Sequence, residues 1–275
     1  MNQDEAFDPR AKKHLGQNFL HERGVIAKIV QAIAPKPGDR IVEIGPGQGA
    51  LTFPLLDRHG AITFPLLRAH GALTAIEFDR DLIAPLQHAA REFGELAIIP
   101  GDVLGVDFTA LAAGGTLRLV GNLPYNLSSP ILFHALEHAT AIEDMHFMLQ
   151  KEVVERMAAA PGSKVYGRLS VMLQAYCSVT PLFTVPPGAF RPAPKVDSAV
   201  VRLVPLPPES IAVRDRGSFE RVVRDAFGQR RKTLRNALSK LCDAGAIEAA
   251  GIRPDARAEQ IEVGDFIRLA NSLGD

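Results

Sequence analysis

Cysteine is scarce in this chain. Two among 275 residues, Cys177 and Cys242, stand far apart and in no CxxC pair. That argues against a zinc site and fits a reducing compartment. Net charge is also missing, because 31 basic residues balance 31 acidic ones. A polyanionic partner would have to be held by a local basic patch, not by an overall field. Long apolar runs are absent as well: no stretch reaches the roughly 18 residues of a membrane span, and the opening MNQDEAFDPRAKKHLG lacks the apolar segment of a signal peptide. The expectation is a soluble, cytoplasmic protein with no membrane partner. What is present is ordinary for a globular chain, 47% hydrophobic and 23% charged, and long enough for one large domain plus a small one.

Residues 40–149 alternate short apolar runs with helical stretches. RIVEIG (40–45), ALTAIEF (72–78), LAIIP (96–100), LRLVGNLP (117–124) and MHFMLQ (145–150) are predicted strands. Their near-continuous hydrophobicity points to a parallel sheet covered on both faces. DLIAPLQHAAREFG and SSPILFHALEHA supply crossover helices, the second with a serine at its predicted N-cap. SVTPLFTVP and VDSAVVRLVPL read as two further strands around the proline-rich PPGAFRPAPK. PLPPE (205–209) is the best linker, which divides the chain into domains 1–206 and 207–275, the second built of three or four helices. Between Arg221 and Lys240 lie Arg221, Arg224, Arg230, Arg231, Lys232, Arg235 and Lys240 against Asp225 alone. A solvated helix face is the bland explanation of such a run; seven cations to one acid on a neutral chain favour a basic helix that binds phosphates.

VEIGPGQG (42–49) reads as strand, tight glycine turn and helix start. Gly45 and Gly47 let the backbone approach a ligand, and the helix start offers free N–H groups. The spacing lacks the third glycine of a dinucleotide fingerprint and suits a nucleoside without pyrophosphate. An acid about 20 residues on should grip ribose hydroxyls. Glu77, at the end of the next predicted strand, is the candidate, yet it lies thirty residues beyond Gly47. Asp102 follows the third strand, where an acid either accepts from an adenine amine or caps a turn. GNLPYNLSSP (121–130) ends the fourth strand with an amide, two carbonyls and an aromatic ring around a stiff proline. That set matches a planar base with an exocyclic amine: Tyr125 stacks on its face, while Asn122 and a carbonyl accept from the amine. Such a base must first leave its stack. His134 and His138, four apart on a helix, have no third ligand in view, so no metal is expected and a solvated face is.

HLGQNFL (14–20), EIGPGQGALT, IEFDRDL, GNLPYNLSSPIL, QKEVVERMAAAPGSKVYGRLSVMLQ and FRPAPKVDSAVVRL together resemble the small-subunit ribosomal RNA adenine dimethyltransferases, from about Arg10 to the C-terminal helices. The resemblance implies a Rossmann-like methyltransferase sheet, mostly parallel with its last strand antiparallel, followed by a small helical RNA-binding domain. It implies S-adenosylmethionine as cofactor and a monomer acting on 16S rRNA in the assembling 30S subunit. The substrate would be two adjacent adenosines in the 3′-terminal hairpin, each methylated twice on its exocyclic N6 amine. Carried over residue by residue, Asn18 and Leu20 close over the methionine end, Gly45 and Gly47 form the cofactor loop, Glu77 takes the ribose and Asp102 the adenine. Asn122, Leu123, Pro124 and Tyr125 form the catalytic turn, with Phe190 as the second ring sandwiching the flipped base. Arg10, Lys12, Lys13, Lys151, Arg156, Lys164 and Arg168 would track RNA, extended by Arg230, Arg231, Lys232 and Arg235. A large-subunit adenine methylase shares the cofactor loop and an Asn-x-Pro-aromatic turn; HLGQNFL and FRPAPKVDSAVV favour the small-subunit family. An RNA-binding assembly factor with impaired catalysis is the alternative of another class.

That alternative is raised by a repetition. GALTFPLLDRH (49–59) is followed at once by GAITFPLLRAH (60–70), and then by GALTAIEF. Removing one eleven-residue unit leaves nineteen residues between Gly47 and Glu77, so the repeat reads as an insertion. Pro65 would sit inside one continuous helix at a cost of about 3 kcal/mol. The first copy is therefore predicted to dock as the helix after the glycine loop, with the third start forming the next strand and 60–71 an extruded loop or short helix.

Overall fold

The computed structural model describes residues 11–12, 15–57, 72–229 and 231–274. The predicted loop at 60–71 lies outside them, as do Arg10, Lys13 and Arg230. The apolar runs become strands: β1 (Phe19–Leu20), β2 (Ile41–Ile44), β3 (Ala72–Glu77), β4 (Glu95–Pro100), β5 (Leu117–Asn122), β6 (Ile142–Gln150), β7 (Cys177–Val185), β8 (Phe190–Arg191) and β9 (Ser198–Pro205). Seven of them form one sheet in the order β4-β3-β2-β5-β6-β9-β7. β2 pairs in parallel with β3 and β5, as do β3 with β4 and β5 with β6, whereas β9 runs antiparallel to β6. β1 and β8 make a separate antiparallel ribbon that pairs Leu20 with Phe190.

Connections between the parallel strands are helical: α1 (Arg23–Ile33), α2 (Thr52–Leu56), α3 (Arg80–Ala90), α4 (Phe108–Ala112) and α5 (Ser128–Glu137). α1 starts where the Glu22 carboxylate accepts from the Gly24 and Val25 N–H groups, and it buries Ile29, Val30 and Ile33. Capping of the first turn and an apolar stripe are what specify a surface helix. α5 starts differently from the prediction. Ser128 is the first helical residue, buried, and its hydroxyl donates back to the Pro124 carbonyl at 3.1 Å. It closes the Asn-Leu-Pro-Tyr turn instead of capping the helix.

The first copy of the repeat forms α2, which buries Thr52, Pro54, Leu55 and Leu56 and ends at Asp57. Pro54 falls in the first turn, where a missing N–H breaks no intrahelical bond. The third start forms β3, in register with β2 and β4. Chain order reverses direction at β2, whose neighbours are β3 on one side and β5 on the other. Such a switch point opens a crevice at the carboxyl ends of the strands.

The chain divides into two compact units, Met1–Lys151 with Leu182–Leu203, and Glu152–Pro181 with Val204–Asp275. This differs from the boundary predicted at 206/207. Within the second unit Tyr166 is fully buried, its hydroxyl donates to the Ile261 carbonyl at 2.9 Å, and its ring lies 6.0 Å from that of Phe227. Tyr176 likewise packs on Phe219 at 6.2 Å. Those aromatic contacts tie 152–181 to the C-terminal helices, which a reading of local linkers does not reveal. The unit's helices are α6 (Lys151–Met157, its first residue falling in the first unit), α7 (Arg168–Gln174), α8 (Arg216–Phe227), α9 (Leu234–Ala237), α10 (Ala244–Ala249) and α11 (Val263–Ser272).

The basic stretch is not one helix. α8 ends at Gly228, and the chain turns before α9 because the Leu234 and Arg235 N–H groups donate to the Ala256 and Pro254 carbonyls. Among the described residues no helix is long and apolar enough to cross a membrane.

Candidate active site

At the carboxyl edge of the first unit's sheet lies a cavity of about 230 Å³, lined by the leading segment Leu15–Leu20, the glycine loop, the ends of β2 and β3, Asp102 and the turn after β5. Of the residues predicted to bind or react, Asn18, Leu20, Gly45, Gly47, Glu77, Asp102, Asn122, Leu123, Pro124 and Tyr125 all line it. Two glycines are required by their surroundings. Gly47 has φ +57° and would bring a Cβ to 3.2 Å from the Phe19 ring, and at Gly121 a Cβ would meet the Ile44 carbonyl at 2.5 Å. The second contact is what lets β5 lie close against β2 and carry Asn122 to the cavity.

Glu77 is buried, and both of its oxygens are anchored. One accepts from the Asp79 N–H at 2.7 Å and the other from the Gly47 N–H at 3.2 Å. Burial raises its carboxyl above the ordinary value, tempered by these two donors. The carboxylate thus has a fixed place beside the glycine loop and retains lone pairs for further donors. Asp102 caps a turn, accepting from the Leu104 N–H at 3.0 Å, and is exposed at the cavity wall. The two roles left open for it are compatible, since one oxygen suffices for the cap.

Asn122 donates its side-chain N–H to the Asn18 carbonyl at 3.0 Å. That bond assigns the amide's orientation and leaves Oδ1 as the acceptor. Leu123 is buried, its N–H held by the Met148 carbonyl, and the Pro124 carbonyl accepts from Leu127 and Ser128. Tyr125 is half-buried with its hydroxyl 2.9 Å from that of the buried Ser198; burial raises the phenol above its ordinary value. Phe190 is placed otherwise than expected. It is 2% exposed, packs in the core with Leu20 and Val200, and is not among the residues lining the cavity.

Lys12 is a second departure. Its ammonium lies 2.6 Å from Asp79 and 2.6 Å from Asp81, so the charge expected to meet RNA is already paired. Lys151 is exposed at the start of α6. Arg156 pairs with Glu152 one turn back, and Lys164, Arg168, Arg231, Lys232 and Arg235 are exposed on the second unit. The two histidines are not a solvated face. His134 bonds the Val106 carbonyl and His138 the Thr109 hydroxyl, both against the Phe108 ring.

Sequence reasoning missed Glu43. It lines the cavity, is 2% exposed, and accepts from the Thr52 hydroxyl at 2.6 Å. Burial, with the nearby Glu77 charge also raising it and the Thr52 bond opposing, pushes its carboxyl up to about 7. An acid inside the otherwise apolar IVEI run was the available signal. Gln17, Asp79 and Ser198 were missed too, each because its partner is distant in sequence.

A family model described as ribosomal RNA adenine dimethylase matches residues 9–275. The ribosomal RNA small subunit methyltransferase A of Xanthomonas campestris pv. campestris (strain B100) is 69% identical over 266 residues, 97% of each chain. Among solved structures, a dimethyladenosine transferase from Plasmodium falciparum aligns with a TM-score of 0.77 at 25% identity, over 93% of this chain and 98% of that one. The 23S rRNA methyltransferase ErmE, at 24% identity, shares the fold, with a TM-score of 0.68 over 94% of this chain and 100% of its own. The mostly parallel sheet is accordingly that of a Rossmann-like methyltransferase. With matches of this kind running over nearly the whole length, the chain belongs to the ribosomal RNA adenine dimethylase family.

Proposed function

We propose that this chain transfers methyl groups from S-adenosylmethionine to the exocyclic N6 amines of two adjacent adenosines in the 3′-terminal hairpin of 16S rRNA, dimethylating each. It acts as a cytoplasmic monomer on the assembling 30S subunit. The observation that carries the reading is the Asn122–Asn18 bond, which leaves the Asn122 carbonyl oxygen as an acceptor beside Tyr125 on the cavity wall. When bound, S-adenosylmethionine supplies an electrophilic methyl. The cavity fits it: Gly45 has φ +67° with open space where a Cβ would stand, Glu77 is fixed for ribose hydroxyls and Asp102 for an adenine amine.

Asn122 Oδ1 accepts a hydrogen from the target amine, and the Leu123 carbonyl accepts the other, since both lone pairs of the Pro124 carbonyl are taken by Leu127 and Ser128. These bonds favour a pyramidal nitrogen, whose lone pair is then free of the ring. Tyr125 stacks on the base, its ring held by Ser198. Positioning supplies most of the barrier reduction, with little acid–base work asked of the protein. Phe190 serves from within the core, fixing Leu20 across the β1–β8 ribbon. The exposed Lys151, Arg156, Lys164, Arg168, Arg231, Lys232 and Arg235 meet phosphates.

Purified small and large ribosomal subunits incubated with the protein and S-adenosylmethionine test the reading. Mass spectrometry should find two adjacent dimethyladenosines near the 3′ end of the small-subunit RNA, and labelling of the large subunit alone would overturn it. Tyr125→Ala should abolish this product while cofactor affinity, read by calorimetry, stays near wild type.

A further inference from the structure

The leading segment meets the cavity through Leu15–Leu20 and meets the rest of the unit through a polar cluster. Asp79, 6% exposed, receives the Lys12 ammonium on one oxygen at 2.6 Å and the Gln17 amide on the other at 3.0 Å. Lys12 also reaches Asp81 at 2.6 Å, and its backbone N–H donates to the Gln17 side-chain carbonyl at 2.7 Å. Burial alone would raise the Asp79 carboxyl, yet Lys12 and Gln17 hold it below the usual carboxylate range. Asp79 also donates its own N–H to Glu77, and Glu77 accepts from Gly47. One chain of bonds therefore runs from the leading segment through Asp79 and Glu77 to the glycine loop.

We propose that Lys12, Gln17 and Asp79 are positioning residues, clamping the leading segment as a wall of the cofactor cavity through the same turn that carries Glu77. The inference rests on the reading that this cavity holds S-adenosylmethionine. Lys12 and Asp79 lie outside the cavity lining, and Gln17 joins them to its wall. The clamp acts through Asn18 and Leu20 on one side, and through the Glu77 turn on the other. Lys12 belongs to cofactor retention and not to the RNA surface.

Calorimetry with S-adenosylmethionine and RNA-binding titrations, run on the full chain, separate these roles. Lys12→Met and Gln17→Leu should each weaken cofactor affinity about tenfold, the scale of leaving a buried carboxylate short of a partner. In Lys12→Met, turnover at saturating cofactor and RNA affinity should stay near wild type, and Lys12→Arg should restore cofactor affinity. Added salt should weaken cofactor binding by the wild type more than by Lys12→Met, because only the wild type has the ion pair to screen. Lys36→Met, an exposed control away from the cavity, should change nothing. Asp79 caps α3, so Asp79→Asn is informative only if its melting matches wild type; the Lys12 variants decide the matter regardless, because Lys12 lies outside the cavity lining. Weaker RNA binding with unchanged cofactor affinity in Lys12→Met would overturn the clamp and return Lys12 to the RNA surface. A wild-type protein that binds no S-adenosylmethionine would instead overturn the reading of the cavity, and the clamp with it.

Discussion

The two ends of the parallel sheet both bury charge, and they treat it in opposite ways. At the amino ends, Arg118 of β5 is 6% exposed and every arm of its guanidinium is engaged. It pairs with Asp144 of β6 at 2.9 and 3.0 Å and with Asp39 at 2.6 Å, and it donates to the Ile33 carbonyl at 2.6 Å. Arg202 adds a further bond to Asp144 at 3.1 Å. At the carboxyl ends, Glu43 and Glu77 are equally buried, but their partners are a hydroxyl and backbone N–H groups, and among the described residues neither makes an ion pair. A buried charge held by matched countercharges is part of the architecture. Buried acids left side by side on a cavity wall are raised in pKa and mark a functional site. The same sheet thus carries structure at one edge, on β5 and β6, and chemistry at the other, on β2 and β3.

Breaking the amino end should have the largest effect. Arg118→Ala removes the cation from Asp39 and leaves Asp144 with Arg202 alone, so unfolding by denaturant should show a loss of about 3–5 kcal/mol. The fraction that stays folded should bind cofactor with wild-type affinity, since Arg118 lies at the opposite edge; a matching loss of affinity would show that the two ends are coupled. Glu77→Gln is the converse experiment. An amide cannot accept from Gly47 and Asp79 with two oxygens, so one N–H loses its partner. Cofactor affinity should fall by at least about tenfold, with stability close to wild type. Unchanged affinity would remove Glu77 from the ribose role.

Glu43 gives a pH signature in the cofactor-free protein. Its folded pKa, about 7, lies above the ordinary 4.5, so the protonated form favours folding. That contribution is fully present below about 4.5 and fades as pH rises through 7. Glu43→Gln mimics the protonated acid. Its melting temperature should therefore gain on wild type as pH moves from 5 to 8, and a constant difference across that range would refute the shift. The effect should be smaller than that of Arg118→Ala, because Thr52 still offers its hydroxyl to the amide.

Much of this contrast was legible in the residues before the fold. The apolar runs, the glycine turn and Asn-Leu-Pro-Tyr are local patterns, and each lands at the carboxyl edge because parallel strands of similar length end together. Pairings between distant positions were not legible. Lys12 reads as one more cation near the start, and only folding brings it to Asp79, sixty-seven residues away. Phe190 reads as an available aromatic, and only the β1–β8 ribbon puts it in the core. The basic run reads as one helix because the N–H groups that stop it are held by carbonyls at 254 and 256. The unit boundary was missed for the same reason, since Tyr166 and Tyr176 find their ring partners in the C-terminal helices.

The repeat bears on the carboxyl end alone, because α2 supplies Thr52 to Glu43 and the next strand supplies Glu77. Deleting residues 60–70 would join α2 to β3 through Asp57, Arg58, His59 and Gly71, a length within the 2–6 residues usual for such connections. Shortening the link relieves loop-closure entropy by about 1 kcal/mol, so stability should hold or rise slightly and cofactor affinity should stay within about twofold of wild type. Deleting residues 49–59 instead makes the second copy take the place of the first. Its apolar positions match closely, with Ile62 for Leu51, but Arg68 falls where Asp57 is 3% exposed. A bulky cation at a buried acidic position should destabilise that variant relative to the first deletion. Equal melting temperatures for the two deletions would show that either copy can serve as α2, and that the choice seen here is not set by Asp57.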